Sequence, residues 1–558
     1  MSDYYDLGTY SRPISTSSPE AQIWFDRGLN WTFAFNHEEA IKCYEKALEH
    51  DPNCAMAKWG IAYALGPNYN LPWDKYDDAM LAQIVAATYE TTQQAVALLD
   101  HASPAEQPLI KTLQARYQAP EPPESMEELD RWNDAYADAM REAYREYGDD
   151  LDVAALFAEA MMDRTPWLMW DLDSGEPAEG ADTVETIEVL ERALNDPASR
   201  THPGGLHLYV HLMEMSPHPE RALRAGDWLR ELVPDGGHLA HMPTHIDVLC
   251  GEYKDVVKSN HDAIIADRKF YEREGGMNIY TMYRTHNYHF KMYGAMFLGQ
   301  YEAAMEAADE MVETIPEDLL RLESPPMGDL LEAFIPLKVH ALIRFGKWQE
   351  IIDTPLPEDQ ELYCVTTAMI HYAKGVALAA TGRIAEAEQE KELFEAAVSR
   401  VPDSRYLHNN TALDLLAIGA AVLDGELEYR KGNFDVAFDH LRRSIELEDD
   451  LPYDEPWGWM QPTRHAYGAL LLEQGHVEEA EAVYRADLGL DGTIGRAFQH
   501  PENVWALHGY HECLMRLGKH DLARMIKQRL DLAVARADVP IESSCFCRMS
   551  EPVAVAAD

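Results

Sequence analysis

The stretch Gln22-Ile-Trp-Phe-Asp-Arg-Gly28-Leu-Asn-Trp31-Thr-Phe-Ala-Phe-Asn-His-Glu-Glu-Ala40-Ile-Lys-Cys-Tyr44-Glu-Lys-Ala47-Leu-Glu-His-Asp-Pro52 decides the fold. Its small residues, Gly28, Ala40 and Ala47, recur where two helices would have to touch, and the aromatics Trp31 and Tyr44 fill the space beside them. The spacing predicts one helix over about 22–35, a second over about 38–50, and a stop at Pro52.

With Gly28 as position 8 and Ala40 as position 20, the frame recurs along the chain. Ala222 and Pro234 fall at positions 20 and 32, and Ala304, Ala308 and Pro316 at 20, 24 and 32. Gly375 with Ala387, Gly425 with Ala437, and Gly468 with Ala480 and Tyr484 repeat the small-residue contacts, and Leu517-Gly-Lys519 with Ala523 opens a last pair. A 34-residue period with these positions is that of the tetratricopeptide repeat. The expected fold is therefore all-α: a helix-pair solenoid over 21–538, coiling into a superhelix, open or closed, whose first helices line a concave groove. A lead-in spans 1–20 and a tail 539–558. Glycines 251, 299, 346, 382, 432, 475 and 518 each precede a second helix, where a left-handed turn is easy for glycine. Segments 118–124, 171–180, 324–326, 354–359 and 451–456 interrupt the period and read as loops.

Composition narrows the function. The 558 residues hold 97 Asp+Glu against 47 Lys+Arg, a formal charge of −50. Such a surface repels phosphate backbones and anionic lipid, which argues against nucleic-acid and membrane partners and favours basic or neutral ones. The charge is spread along the chain, as in a solvated acidic surface or an adaptation to high salt. No run of 18 apolar residues and no signal-peptide pattern is present, so the expected compartment is the cytoplasm. Seven scattered cysteines do not form a disulfide framework; Cys545 and Cys547 alone are spaced to share a soft metal or a strained disulfide.

The histidines fall in phase with the repeat. His207 and His211 are followed 34 residues later by His241 and His245, so both pairs occupy positions 5 and 9 of successive first helices. Positions 2, 5, 9 and 12 share one helical face. Glu214 stands at position 12, His238 at position 2, and His286 and His289 at positions 2 and 5 of the next first helix. Two imidazoles at i and i+4 chelate a transition-metal ion, and a carboxylate completes or orients the shell. His207, His211, His241, His245, His286 and His289 are the candidate ligands, with zinc, copper, iron or nickel preferred over magnesium or calcium. Glu214 is the candidate base or extra ligand. Arg284 is placed to hold an anionic group or a neighbouring carboxylate, and Trp170, Trp457, Trp459 and His465 to wall a substrate pocket. Cross-helix hydrogen bonding by these same histidines is the plainer alternative. No Gly-rich phosphate loop is present, so no nucleotide cofactor is expected.

His202-Pro-Gly-Gly205, Ser216-Pro-His-Pro-Glu-Arg-Ala-Leu223, Gly237-His-Leu-Ala-His-Met-Pro-Thr-His245, His286-Asn-Tyr-His-Phe290, Gly66-Pro-Asn-Tyr-Asn70 and Ser544-Cys-Phe-Cys-Arg548 resemble, across nearly the whole chain, a family of tetratricopeptide-repeat proteins of bacteria and fungi. The resemblance implies the helical repeat fold and attaches no activity. Two functions are expected from the residues: a metal-dependent hydrolase or oxidoreductase acting on a small or medium organic molecule in the groove, or a scaffold docking a basic peptide or partner protein.

Overall fold

The computed structural model describes residues 4–548; residues 1–3 of the lead-in and 549–558 of the tail lie outside the described residues. Helices dominate, and the strands among the described residues are a two-residue antiparallel pair, Tyr406–Leu407 with Asn410–Thr411. No described helix is long and apolar enough to cross a membrane. The described residues group into two compact units: residues 4–246 with 262–274, and residues 247–261 with 275–548.

In the first unit, the opening helix pair is Pro19–Phe33 and His37–His50. The first helix begins three residues before the expected start, because Ser18 caps it by accepting from the Ala21 amide and Pro19 fits the first turn. Asn36 caps the second by accepting from Glu39 N–H. Tyr44 lies between Gly28 and Gly60: a Cβ on either glycine would meet its ring at 2.6 or 2.5 Å. The Tyr44 hydroxyl and Thr32 Oγ1 are 2.9 Å apart, so the buried phenol keeps a partner.

The second unit repeats the device. Tyr484 packs against Gly468 and Gly509, and Ala387, Ala437 and Ala480 are completely buried. All seven turn glycines have positive φ, from 63° at Gly346 to 85° at Gly432 and Gly475. The five interrupting segments run outside helices. The described part of the tail is tied down: Arg344 donates to the Ser544 carbonyl at 2.8 Å, Ser544 Oγ donates to the His465 carbonyl at 3.0 Å, and Arg548 forks onto Glu512. Cys545 and Cys547 form a disulfide.

Candidate metal centre

The helix Pro203–Glu214 carries the core of the candidate site. His202 caps it, its Nδ1 accepting from Gly205 N–H at 3.0 Å, and Pro203 occupies the first turn. His207, His211 and Glu214 then fall at i, i+4 and i+7 on one face. The next repeat supplies Gly237–His241, which ends at Met242 because Pro243 starts a new helix. His238, His241 and His245 face the first set. All six side chains are 1% exposed or less, so the face expected to line an open groove is buried.

Phe33 and Phe35 cover it. The Phe33 carbonyl can only accept, so His207 donates through Nδ1–H at 2.7 Å and turns the lone pair of Nε2 inward. His211 Nδ1 faces Glu214 Oε1 at 2.9 Å, and His245 Nδ1 faces Glu214 Oε2 at 2.5 Å. The Nε2 atoms of His207 and His238 stand 3.2 Å apart, and those of His241 and His245 stand 2.7 Å apart. His211 Nε2 is buried with no hydrogen-bond partner. Phe35 lies with its ring centroid 4.5 Å from His207 and stacks on His211 and His238, and Tyr69 packs on His211 at 4.9 Å.

This donor set fits a transition-metal ion. Two imidazole nitrogens each about 2.1 Å from one tetrahedral ion are about 3.4 Å apart. The 3.2 Å between His207 and His238 falls short of that by a small rotamer adjustment, and His207, His211 and His238 each offer a ring nitrogen within 4.8 Å of the others. Burial pushes His207, His238 and His245 well below the usual histidine range and His211 down to about 3, which keeps neutral lone pairs at neutral pH. Burial pushes Glu214 up instead. A cation bound nearby would favour the ionised form of a carboxyl group that faces two imidazole nitrogens in such a place.

The stretch that supplies Phe33 and Phe35 matches the family model described as tetratricopeptide repeat, over residues 21–54. It is a tetratricopeptide repeat. The chain is also similar to solved structures: the yeast Tom70, with 12% identity over 92% of this chain and 98% of that one and a TM-score of 0.28; and the APC/C hetero-tetramer Cut9-Hcn1, with 12% identity over 93% and 94% and a TM-score of 0.27. A third, Naa15/Naa10 bound to HypK-THB, matches at 12% identity over 92% of this chain and 70% of that one, with a TM-score of 0.21. At these scores the likeness decides nothing about how the helices are arranged. No curated protein matches the chain.

Phe35 sits in the turn between the two helices of the tetratricopeptide repeat at φ +53°, a left-handed conformation that costs a bulky residue energy. Periodicity carries no sign of Phe33, Phe35 or Tyr69 as parts of the site, since they come from the last residue of a helix, the turn after it and a loop. The signal in the sequence was the Phe-Ala-Phe-Asn turn itself, aromatic where turns are usually polar.

The remaining candidates have other surroundings. Trp170 is buried and donates Nε1–H to the Leu212 carbonyl at 2.7 Å, which ties its loop to the histidine-bearing helix. In the second unit, Arg284 donates to Thr281 Oγ1 and to the hydroxyl and carbonyl of Thr314, where the helix Tyr301–Glu313 ends and its dipole favours a cation. Trp457 donates to the Glu448 carbonyl at 3.1 Å and packs on Phe498. Trp459 lies against His340 and Tyr372 and borders a cavity of about 30 Å3, room for about one water, beside Cys545 and Cys547. His465 is clasped between Arg344 and Asp487, each at 2.9 Å. His286 and His289 lie on the helix Thr281–Leu298, three residues apart.

Proposed function

We propose that this chain is a tetratricopeptide-repeat scaffold for partner proteins whose first unit is built around a transition-metal ion. The repeat at 21–54 supports an interaction role, because helix-pair arrays offer broad, regular surfaces to partners. An excess of 50 negative charges favours basic partner segments. The metal reading is carried by one observation: His207 and His211 each commit Nδ1 to a fixed partner, a carbonyl and a carboxylate, and leave Nε2 turned toward the same space. That is how metal-binding imidazoles are oriented by their surroundings. His207, His211 and His238 are the ligands on this reading, with His241 and His245 beside them and Glu214 fixing His211 and His245.

Catalysis at the same centre, hydrolytic or oxidative, is the second reading. It is favoured by Glu214, a carboxyl group beside the imidazoles that burial makes harder to ionise and so more basic once ionised, the direction a general base needs. Elemental analysis of untagged protein tests the metal. One equivalent per chain that disappears in His207→Ala/His211→Ala is the expected result, and a metal content unchanged by that double variant overturns it. A pull-down with basic peptides, and a screen of hydrolytic and oxidative turnover on the metal-loaded protein, then separate scaffold from enzyme.

A further inference from the structure

The hairpin Tyr406–Thr411 is the one place among the described residues where strands form, and its turn carries His408 at φ +50°. A histidine is uncommon in the left-handed region, and a tight turn has glycine or asparagine available for it. The neighbouring Asn409 and Asn410 are spent otherwise. Asn409 donates to the Tyr453 carbonyl at 3.1 Å, Asn410 donates to Asp454 Oδ2 at 2.9 Å, and Ala412 N–H closes the hairpin on the Arg405 carbonyl. The turn is thus anchored on both sides, and the anchoring aims one imidazole.

It is aimed at the helix Thr281–Leu298. His408 Nε2 stands 3.0 Å from His286 Nδ1, and the His408 ring lies nearly parallel to that of His289 at 5.9 Å. Phe334 packs edge-on against both His408 and His289. His286, His289 and His408 each present a ring nitrogen within 4.8 Å of the other two. His286 and His289 are buried, and His408 is half-buried, which leaves a way in from solvent.

We infer that His286, His289 and His408 form a transition-metal site in the second unit, a ligand set that repeat periodicity does not reveal because His408 belongs to no helix pair. Three neutral imidazoles select zinc, cobalt, nickel or copper over magnesium or calcium. Three protein ligands also leave the fourth tetrahedral position to water or an exogenous ligand, as in sites that exchange or activate what they bind. The 3.0 Å between His286 and His408 opens to the about 3.4 Å of a shared tetrahedral ion by a shift of a few tenths of an ångström. A left-handed turn held by two asparagine side chains supplies the rigidity that such a site needs.

The test uses the full, untagged chain, stripped with a chelator and titrated with cobalt(II), read by visible absorption and by elemental stoichiometry. His408→Gly removes the imidazole and suits the left-handed turn, so folding is preserved, with circular dichroism as the check. The expected result is one cobalt fewer per chain, or at least about tenfold weaker binding of one equivalent. His286→Ala is the second variant and is expected to lose the same equivalent. His207→Ala/His211→Ala is expected to keep it, so failure of the first-unit centre and failure of this one are read separately. Unchanged cobalt stoichiometry and affinity in folded His408→Gly overturns the site.

Discussion

Glu214 Oε2 lies 2.5 Å from His245 Nδ1, 31 residues along the chain, while its other oxygen faces His211 Nδ1. One carboxyl group therefore joins two successive repeats, and it is completely buried. Removing it strands two imidazole N–H groups in the interior, each costing about 1–3 kcal/mol. Glu214→Ala is expected to lower the unfolding midpoint clearly, and Glu214→Gln, which keeps an acceptor and the volume, is expected to lower it less. Metal affinity should fall about 10- to 100-fold in Glu214→Ala if Glu214 orients the ligands. Equal melting curves for Ala and Gln would mean that the carboxyl group fills space and nothing more.

Tyr44 between Gly28 and Gly60 gives a second test. In a helix interior Ala is better than Gly by about 0.5–1 kcal/mol, but a Cβ 2.5 Å from the Tyr44 ring forces overpacking of about 1–3 kcal/mol. Overpacking wins, so Gly60→Ala is expected to destabilise the protein in urea. Gly205→Ala is the control. Its Cβ would meet His202 Nδ1 at an ordinary 3.5 Å, and no loss is expected.

These glycines also show what was legible. Small residues at fixed positions mark helix contacts wherever they recur, so Gly28, Gly468, Ala387 and Ala437 predict the pairing of helices from spacing alone. The 34-residue interval likewise places His207 and His211 opposite the repeat that holds His241 and His245. What periodicity misses is whatever a helix end or a loop contributes. The Phe33 carbonyl meets His207 across 174 residues, and the turn residue His408 meets His286 across 122. Burial was hidden for the same reason: a helix face can be assigned from sequence, but the ring of Phe35 that covers it cannot.

Acid should destabilise the protein through histidines that stay neutral when folded. Burial takes His340 from 6.5 down to about 3, with the positive charge of Arg344 adding to it, and burial takes His37 down to about 4. Because the folded values lie below the unfolded ones, the unfolded chain binds more protons below pH 6.5. Stability is therefore full above that pH and is lost as the pH falls. At pH 5 the loss from His340 alone is about 2 kcal/mol. His340 packs edge-on against Trp459, and His340→Phe keeps the volume while removing the proton site. Denaturant unfolding from pH 7.5 to 5 is expected to slope less steeply in His340→Phe than in the parent chain. Parallel slopes would show that His340 titrates normally.

Phe35 sets strain against packing, and the magnitudes choose between them. Its left-handed backbone costs about 1–2 kcal/mol, which Phe35→Gly would relieve. The same change deletes a 5% exposed ring that contacts His207, His211 and His238, and a buried Phe reduced to a small residue costs about 3–5 kcal/mol. Phe35→Gly should therefore be less stable than the parent chain, by about 2 kcal/mol in denaturant unfolding. It should also let water onto the imidazoles. In metal-free protein, the His211 ring, which burial takes down to about 3, is expected to titrate nearer the ordinary histidine value once Phe35 is gone. A more stable Phe35→Gly protein with an unmoved His211 titration would make Phe35 a strained turn residue and nothing else. The expected pair of results makes it the cover that keeps the histidines dry, and would explain why a bulky residue holds a position that glycine suits better.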